Sequence, residues 1–107
     1  IVNYTRLGVR RLDLPVYLPG EVPVKTVRRV LLAAAETAPG VLPDPAPAVV
    51  LQEFGDRAVQ YRLRCWFKVE DFWDSRAVLT EAVKEGLEKE GIGLFYNRVE
   101  VIHPVDR

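Results

Sequence analysis

The sequence predicts an α+β fold, a ferredoxin-like two-layer sandwich in which two helices cover one face of a four-stranded antiparallel or mixed sheet. Two segments alternate apolar and polar residues, a period of two that is typical of strands with one buried face. Two other segments carry apolar residues at helical spacing. With two shorter strand-like segments, the order along the chain is βαββαβ. Right-handed crossovers then favour the strand order 4-1-3-2.

Length and composition are those of one globular domain. The chain has 107 residues, of which 49% are apolar and 28% charged, and this balance argues against disorder. The 15 basic and 15 acidic residues cancel, so no net field attracts nucleic acid or an anionic membrane. No apolar run approaches the about 20 residues of a spanning helix. The single cysteine excludes an internal disulfide, and the lack of any methionine indicates that the chain starts inside a longer gene product or has been trimmed.

The first long strand is predicted at residues 9–17, after a short β-like piece at residues 1–6. Its residues alternate between two sides. The apolar side is formed by Leu12, Leu14 and Val16, and the polar side by Arg11, Asp13 and Tyr17. Pro15 has no backbone N–H, so it must lie where the ladder does not require a donor.

The first helix follows the turn at Pro19-Gly20. Pro23 is predicted as its first helical residue, because the N–H that proline lacks would have no partner there. Pro39-Gly40 ends the helix. The apolar positions at helical spacing are Val24, Val27, Val30, Leu31, Ala34 and Ala38. Residues 41–47 contain three prolines and form a stiff, extended connection.

A hairpin is predicted from a strand at residues 48–54, a turn at Gly55-Asp56 and a long strand at residues 58–69. The long strand has the sharpest division between two faces. Its apolar face carries Val59, Tyr61, Leu63, Cys65, Phe67 and Val69, and its polar face carries Gln60, Arg62, Arg64, Trp66 and Lys68. Such a division requires one buried face and one exposed face.

The second helix is predicted to begin at a cap supplied by Asp71 or Asp74 and to end at Gly91, a residue type that suits the position after a helix. Glu85 and Lys89 are spaced to pair on its surface. The residues predicted to face the core are Val78, Leu79, Ala82, Val83 and Leu87. A short strand at residues 99–102 completes the order of elements.

The residue types that carry catalysis or bind metals are too few to form a site. His103 is the only histidine, so no second imidazole could complete a metal site with it. Cys65 lies on the apolar face of its strand, which predicts a buried, inert thiol. The acidic groups at residues 70–74 and 85–90 fit a helix start and a solvated helix face. The sequence therefore predicts no enzyme, no catalytic residue, no cofactor and no metal.

The polar face of the long strand is the candidate functional surface. It presents Arg62, Arg64, Trp66 and Lys68 together, and an antiparallel first strand would add Arg11 and Tyr17. RNA-recognition modules of this topology stack bases on sheet aromatics beside basic residues. However, Asp13 shares the face, the net charge is zero and a glycine-aromatic RNA-binding motif is absent. These features favour a protein-contact or water-facing surface.

Four segments, in order, resemble parts of one known family. IVNYTR and VRRLDLPV, at residues 1–6 and 9–16, resemble the exit from that family's middle β domain. VLPDPAPAVVLQEFGDRAVQYRLRCWFK, at residues 41–68, resembles its proline-rich connection and strand–turn–strand unit. VKEGLEKEGIGL, at residues 83–94, resembles its last helix and Gly-Ile exit. The family is that of the small-conductance mechanosensitive ion channels (MscS), and the likeness is to its C-terminal cytoplasmic α/β domain.

One segment departs from the family's pattern. Members usually follow the Gly-Ile exit with a proline-aromatic-proline-glutamine segment. This chain has Phe95, Tyr96, Asn97 and Arg98 at the matching positions. The path into the last strand, and the presence of a C-terminal barrel strand, are therefore left open.

The resemblance implies a cytoplasmic cage, or vestibule, domain of a membrane channel that releases solutes during osmotic shock. Other copies of the subunit would be its partners, as a heptamer, and the cage would support assembly and filter solutes. The domain would lie on the cytoplasmic side of the inner (plasma) membrane, and helices missing from this chain would make the only membrane contact. Neither nucleic acid nor a cofactor would be bound. Residues 1–8 would be the last strand of the upstream β domain, residues 9–103 the ferredoxin-like domain and residues 104–107 a tail.

Contacts between subunits would use aromatic and basic side chains that the core does not explain, since these are enriched at interfaces. The candidates are Tyr17, Arg62, Arg64, Trp66, Phe72 and Trp73. Phe72 and Trp73 could instead pack beneath their own helix. Two other functions stay open, a ferredoxin-like regulatory domain that binds a small ligand and an RNA-binding module.

Overall fold

The computed structural model describes residues 8–93, which form three strands and two helices. Strand β1 spans Val9–Pro19, helix α1 Val24–Thr37, strand β2 Ala48–Phe54, strand β3 Ala58–Lys68 and helix α2 Phe72–Lys89. The 3-10 turn Val69–Asp71 joins β3 to α2. The α+β class and the order βαββα are thus confirmed. The fourth strand predicted at residues 99–102 lies outside the described residues.

Strand β3 lies in the centre of the sheet. Both other strands pair with it in antiparallel orientation, so the order is β1-β3-β2, as predicted for these strands. The register of the β2–β3 ladder shifts between Leu51 and Glu53, which leaves Gln52 as an extra residue in β2. Pro15 lies in β1, which has no second neighbour within residues 8–93, and an edge strand tolerates a residue without an N–H.

One face of the sheet is buried under the two helices. The alternation predicted in β1 and β3 is confirmed, because between Leu12 and Leu18 and between Tyr61 and Phe67 the residues of one parity are buried while those of the other are half-buried or exposed. The strand residues in the core are Leu12, Leu14, Val16, Leu18, Val49, Tyr61, Leu63, Cys65 and Phe67. Leu18 is fully buried although it lies beyond the predicted end of the first strand. The Pro19-Gly20 pair does not stop the strand before Pro19.

The two helices pack against each other as well as on the sheet. Gly86 of α2 lies against Val30 in the first half of α1, whereas Gly40, just after α1, lies against Ser75 in the first turns of α2. These contacts show that the helices run antiparallel. Their core residues are Val27, Val30, Leu31, Ala34 and Ala35 in α1, and Phe72, Ser75, Leu79, Val83 and Leu87 in α2.

The helix starts differ from the prediction. Pro23 caps α1 instead of being its first helical residue, since its backbone is extended and its carbonyl accepts a hydrogen bond from Val27 N at 3.1 Å. Asp71 occupies the cap position of α2, but its side chain makes no capping hydrogen bond. The preceding 3-10 turn brings the chain into α2, with the Phe72 N–H bonded to the carbonyl of Val69.

Three predicted core positions and one predicted surface ion pair are also corrected. Val69 does not belong to β3, because the strand ends at Lys68 and Val69 begins the 3-10 turn. Val24 and Val78 belong to helical apolar stripes but are partly exposed, since each lies at the margin of the contact between its helix and the core. On α2 the i, i+4 ion pair within residues 8–93 joins Lys84 to Glu88 instead of Glu85 to Lys89.

The end of α2 is closed as Gly91 predicts. Gly91 has a φ of 74°, a left-handed conformation that favours glycine. Its N–H donates to the carbonyl of Glu88 at 3.0 Å, and the N–H of Ile92 donates to the carbonyl of Leu87 at 2.9 Å. This pair of bonds is a Schellman motif, in which Ile92 returns to pack on the core.

Candidate interaction surface

The polar face of the sheet is the side opposite the two helices. The antiparallel register places Arg11 beside Trp66 and Asp13 beside Arg64. One row further on, Arg62 lies between Pro15 of β1 and Val50 of β2, and Tyr17 pairs with Gln60 in the next row. The structure therefore brings together four of the six predicted contact residues, Tyr17, Arg62, Arg64 and Trp66, and no helix within residues 8–93 covers them. We call this the polar sheet face.

Asp13 is the electrostatic centre of the polar sheet face. Its Oδ1 accepts a hydrogen bond from Arg64 Nε at 3.1 Å, and its Oδ2 lies 3.3 Å from a terminal nitrogen of Arg11. The Arg11 guanidinium also lies 6.0 Å from the centroid of the Trp66 ring. The Asp13 carboxylate thus forms ion pairs with both Arg11 and Arg64. This arrangement lowers the attraction of the face for phosphate and disfavours the RNA-binding interpretation.

Arg62 differs from its two basic neighbours on this face. Its Nε is buried, and it has no hydrogen-bond partner among the residues that the structure describes. A buried donor without an acceptor costs about 1–3 kcal/mol, so such groups are rarely left unpaired in native proteins. An acceptor supplied from outside residues 8–93 would remove this cost once the Arg62 side chain turns to expose this nitrogen.

The two aromatic residues at the start of α2 have different environments. Phe72 is only 4% exposed, and its ring meets Phe67 edge-to-face at a centroid distance of 5.7 Å. It therefore packs beneath its own helix, as the alternative interpretation held. Trp73 is 67% exposed, with its ring centroid 5.1 Å from that of Phe72. Of this pair, only Trp73 remains available to a partner.

Arg10 is a member of this aromatic cluster that the sequence reasoning missed. Its guanidinium lies 4.0 Å from the Phe72 ring centroid and 5.7 Å from that of Trp73. The sequence feature that could have revealed it is its position in the strand. Arg10 lies two residues before Leu12 in β1, so it belongs to the same apolar side, and it pairs with Phe67 of β3. A basic residue in an apolar row indicates a cation–π contact at the end of the sheet.

The side chains that could react or bind a metal are either unreactive or far from one another. Cys65 is fully buried, and burial raises the pKa of its thiol to about 12, so the nucleophilic thiolate does not form near neutral pH. Burial also raises the pKa of Tyr61, an effect that Arg28 partly opposes. Within residues 8–93, no three histidine, cysteine or acidic side chains lie close enough to hold a metal ion. His103 lies outside this range.

Comparison with known proteins decides the family. A family model described as "Mechanosensitive ion channel MscS, C-terminal" matches residues 12–94. The chain belongs to the MscS family. It corresponds to the C-terminal domain of these mechanosensitive channels, which are not a class of enzymes. None of the helices within residues 8–93 has the length and apolar character needed to cross a membrane.

Curated relatives carry the same family name. An uncharacterized MscS family protein of Synechocystis is 33% identical over 101 residues, covering 94% of this chain and 34% of the relative. The small-conductance mechanosensitive channel of Edwardsiella ictaluri is 28% identical over 103 residues, covering 94% of this chain and 35% of that protein. The chain thus spans about a third of the length of these MscS relatives.

Solved structures support the fold. The closed-state crystal structure of Helicobacter pylori MscS superposes with a TM-score of 0.79 at 19% identity, over 94% of this chain and 40% of that one. Arabidopsis thaliana MSL1 gives a TM-score of 0.66 at 19% identity, over 90% and 37%. At such low identity these matches concern the fold alone, and they agree with the sandwich predicted from the sequence.

Proposed function

We propose that this MscS C-terminal domain is part of the cytoplasmic cage of a mechanosensitive channel, where it supports assembly and filters solutes during osmotic-shock efflux. Its partners are other copies of the subunit, a heptamer by family likeness. Residues 9–103 form the domain, residues 1–8 continue the upstream β domain and residues 104–107 are a tail. The membrane-spanning helices belong to the part of the subunit that this chain does not include, and the domain lies on the cytoplasmic side of the inner membrane.

The observation that carries the assembly role is the state of Arg62 on the polar sheet face. Its buried Nε lacks an acceptor within residues 8–93, and Trp66 and Tyr17 lie half-buried on the same face. Arginine and aromatic side chains are enriched where proteins contact each other. A carboxylate or carbonyl of a neighbouring subunit would pair with Arg62. The polar sheet face is therefore proposed as a subunit contact.

The test uses the full-length subunit expressed in bacteria that lack their own mechanosensitive channels. Arg62→Glu reverses the charge on the polar sheet face, so we expect fewer assembled channels and poorer survival of osmotic down-shock than with the wild-type subunit. The matched control is Lys25→Glu, an exposed cation on α1 in the opposite layer. It should assemble normally. Circular dichroism of the 107-residue chain would verify that both variants fold.

Two outcomes would count against the proposal. If the wild-type subunit gives no protection from down-shock and no tension-gated current in membrane patches, the channel role is wrong. If Arg62→Glu and Lys25→Glu assemble equally well, the polar sheet face is not a subunit contact.

A further inference from the structure

A second exposed surface lies at the end of the sheet where β1 begins. It consists of Trp73 on the first turn of α2 and Val69 four residues earlier, which are 67% and 43% exposed. Arg10 lies beside them, stacked over Phe72 and within 5.7 Å of the Trp73 ring centroid. We call this group the Trp73 patch. It is separate from the polar sheet face, because Trp73 lies on a helix and Arg10 has the parity of the core row.

The Trp73 patch has the composition of a docking site. The indole is held by an edge-to-face contact with the buried Phe72, so a partner would meet a largely preformed surface. Exposed charged residues, Lys68, Glu70, Asp71 and Asp74, surround it. Apolar groups rimmed by charges in this way mark interaction sites. Tryptophan and arginine are also the residue types that most often dominate binding energy.

The path of the chain indicates which partner is available. The carbonyl of Gly8 accepts a hydrogen bond from Val69 N at 3.0 Å, so the chain that precedes Gly8 leaves the described structure beside the Trp73 patch. The family model is C-terminal, and the curated relatives are about three times as long as this chain. Seven residues reach about 25 Å at most. The preceding part of the subunit is therefore held close to the patch at a high effective concentration.

We propose that the Trp73 patch is the docking site for the upstream domain of the same subunit, which would cover Trp73 and Val69 with apolar side chains. This inference rests on the proposed function, because it assumes that the chain continues into a channel subunit. It assigns different partners to two surfaces: the polar sheet face to neighbouring copies, and the Trp73 patch to the subunit's own upstream part. The patch would then fix the orientation of this domain relative to the rest of the subunit.

Photocrosslinking in the full-length assembled channel tests the identity of the partner. The photoreactive aromatic p-benzoylphenylalanine would be placed at position 73 and, as a control, at position 54. Phe54 is 75% exposed and is the last residue of β2, at the opposite end of the sheet. We expect position 73 to crosslink within one subunit, to residues that precede Ile1, and to do so several-fold more efficiently than position 54. The product should migrate as a single subunit.

Three results would overturn the inference. One is a crosslink from position 73 to another copy, which would migrate as a dimer. Another is a crosslink to residues 94–107. The third is a yield no higher than at position 54.

Cysteine labelling gives an independent readout. Trp73→Cys and Val69→Cys should both react with maleimide about tenfold more slowly in the full-length channel than in the 107-residue chain. Phe54→Cys should change less, and Cys65 contributes no background because it is fully buried. Equal protection at positions 73 and 54 would contradict docking at the patch.

Down-shock survival of the same variants separates the two proposals. Survival together with free labelling at position 73 would remove this inference and leave the channel role intact. Failure of the wild-type subunit to protect cells would remove the channel role itself.

Discussion

Gly40 is the residue at which the chain leaving α1 meets the first turns of α2. Its φ is 96°, and a Cβ added there would lie 2.2 Å from the Oγ and 2.9 Å from the Cβ of Ser75. Ser75 is itself buried, so it cannot swing into solvent without opening the helix contact. Glycine is therefore required at this position for both its backbone conformation and the space it leaves.

We expect Gly40→Ala to lower the free energy of unfolding by about 2–4 kcal/mol, from the left-handed backbone and the contact with Ser75 together. Urea unfolding followed by circular dichroism measures the change. Gly93→Ala is the matched control, because a Cβ at Gly93 meets nothing within 4 Å and its φ is not in the left-handed region. A Gly40→Ala midpoint equal to that of Gly93→Ala would show that the Gly40–Ser75 approach is not tight.

Cys65 offers a second test at the level of one side chain. Because it is fully buried and its thiol pKa is raised to about 12, we expect no reaction with maleimide in the folded chain near neutral pH and complete reaction in denaturant. Mass spectrometry after labelling gives the result. Labelling that proceeds while the circular dichroism spectrum stays native would mean that the apolar row of β3 opens to water.

The same thiol makes stability depend on alkaline pH. Its folded pKa of about 12 lies above its ordinary value of 9.0, so the unfolded chain loses this proton first. The contribution of Cys65 is therefore fully present below about pH 9 and is lost as the pH rises toward about 12. Tyr61, whose pKa is also raised, acts in the same direction.

Among the elements, the antiparallel helix pair is held at one end by an ion pair between Arg29 and Glu90. The two Arg29 nitrogens donate to the two carboxylate oxygens of Glu90 at 3.3 and 3.1 Å. The hydrogen bond and the charge of Arg29 lower the pKa of Glu90, and Glu90 raises that of Arg29. Both side chains are exposed, so solvent screens the pair and its contribution to stability is small.

The sign of the pH effect follows from the lowered pKa of Glu90. The pair contributes fully above the ordinary pKa of a glutamate, and its contribution is lost as the pH falls through the lower folded pKa. The stability difference between wild type and Glu90→Gln should therefore be small but measurable at neutral pH. It should vanish in acid and weaken at high salt. The control is Glu85→Gln, an exposed carboxylate on the same helix, and an identical pH dependence for both variants would contradict the pair.

How well the strands and helices could be predicted from the sequence depends on which interaction determines their faces and ends. The faces of β1 and β3 follow from burial on one side, so alternation alone was sufficient to place them. Helix starts depend on a few backbone bonds. Pro23 was placed one position too far into its helix, whereas Asp71 occupies the predicted cap position without the side-chain hydrogen bond expected of a cap. Val78 fits the helical period yet lies at the margin of the core, because the period gives a direction but not the width of the contact.

The candidate surface was predictable to a similar degree. Strand parity was enough to bring Arg62, Arg64, Trp66 and Tyr17 to one face. The separation of Phe72 from Trp73 could not be foreseen, because adjacent helical residues differ by about 100° and only the packing decides which one is covered. The pairing of Asp13 with two arginines required the register of β1 against β3, which the sequence leaves undetermined.

For the whole molecule, the main expectation concerns association. The 107-residue chain should be monomeric or weakly associating, because it corresponds to only about a third of the length of its MscS relatives and offers correspondingly few contacts. Sedimentation velocity over a range of concentrations is the measurement. Tight association is expected only of the full-length subunit, where further contacts would act together with the polar sheet face. A tight heptamer of the 107-residue chain would contradict this expectation.

The extra residue Gln52 in β2 and the proline in β1 affect how strand edges of neighbouring copies could pair. An assembly of many copies holds exposed strand borders at high local concentration, which favours sheet growth from one molecule to the next. A bulge increases the local twist, and Pro15 interrupts the row of donors. Neither border of the sheet that residues 8–93 form is therefore a flat, continuous template. Such irregularities would let the copies touch through side chains while keeping their backbones from fusing into fibrils.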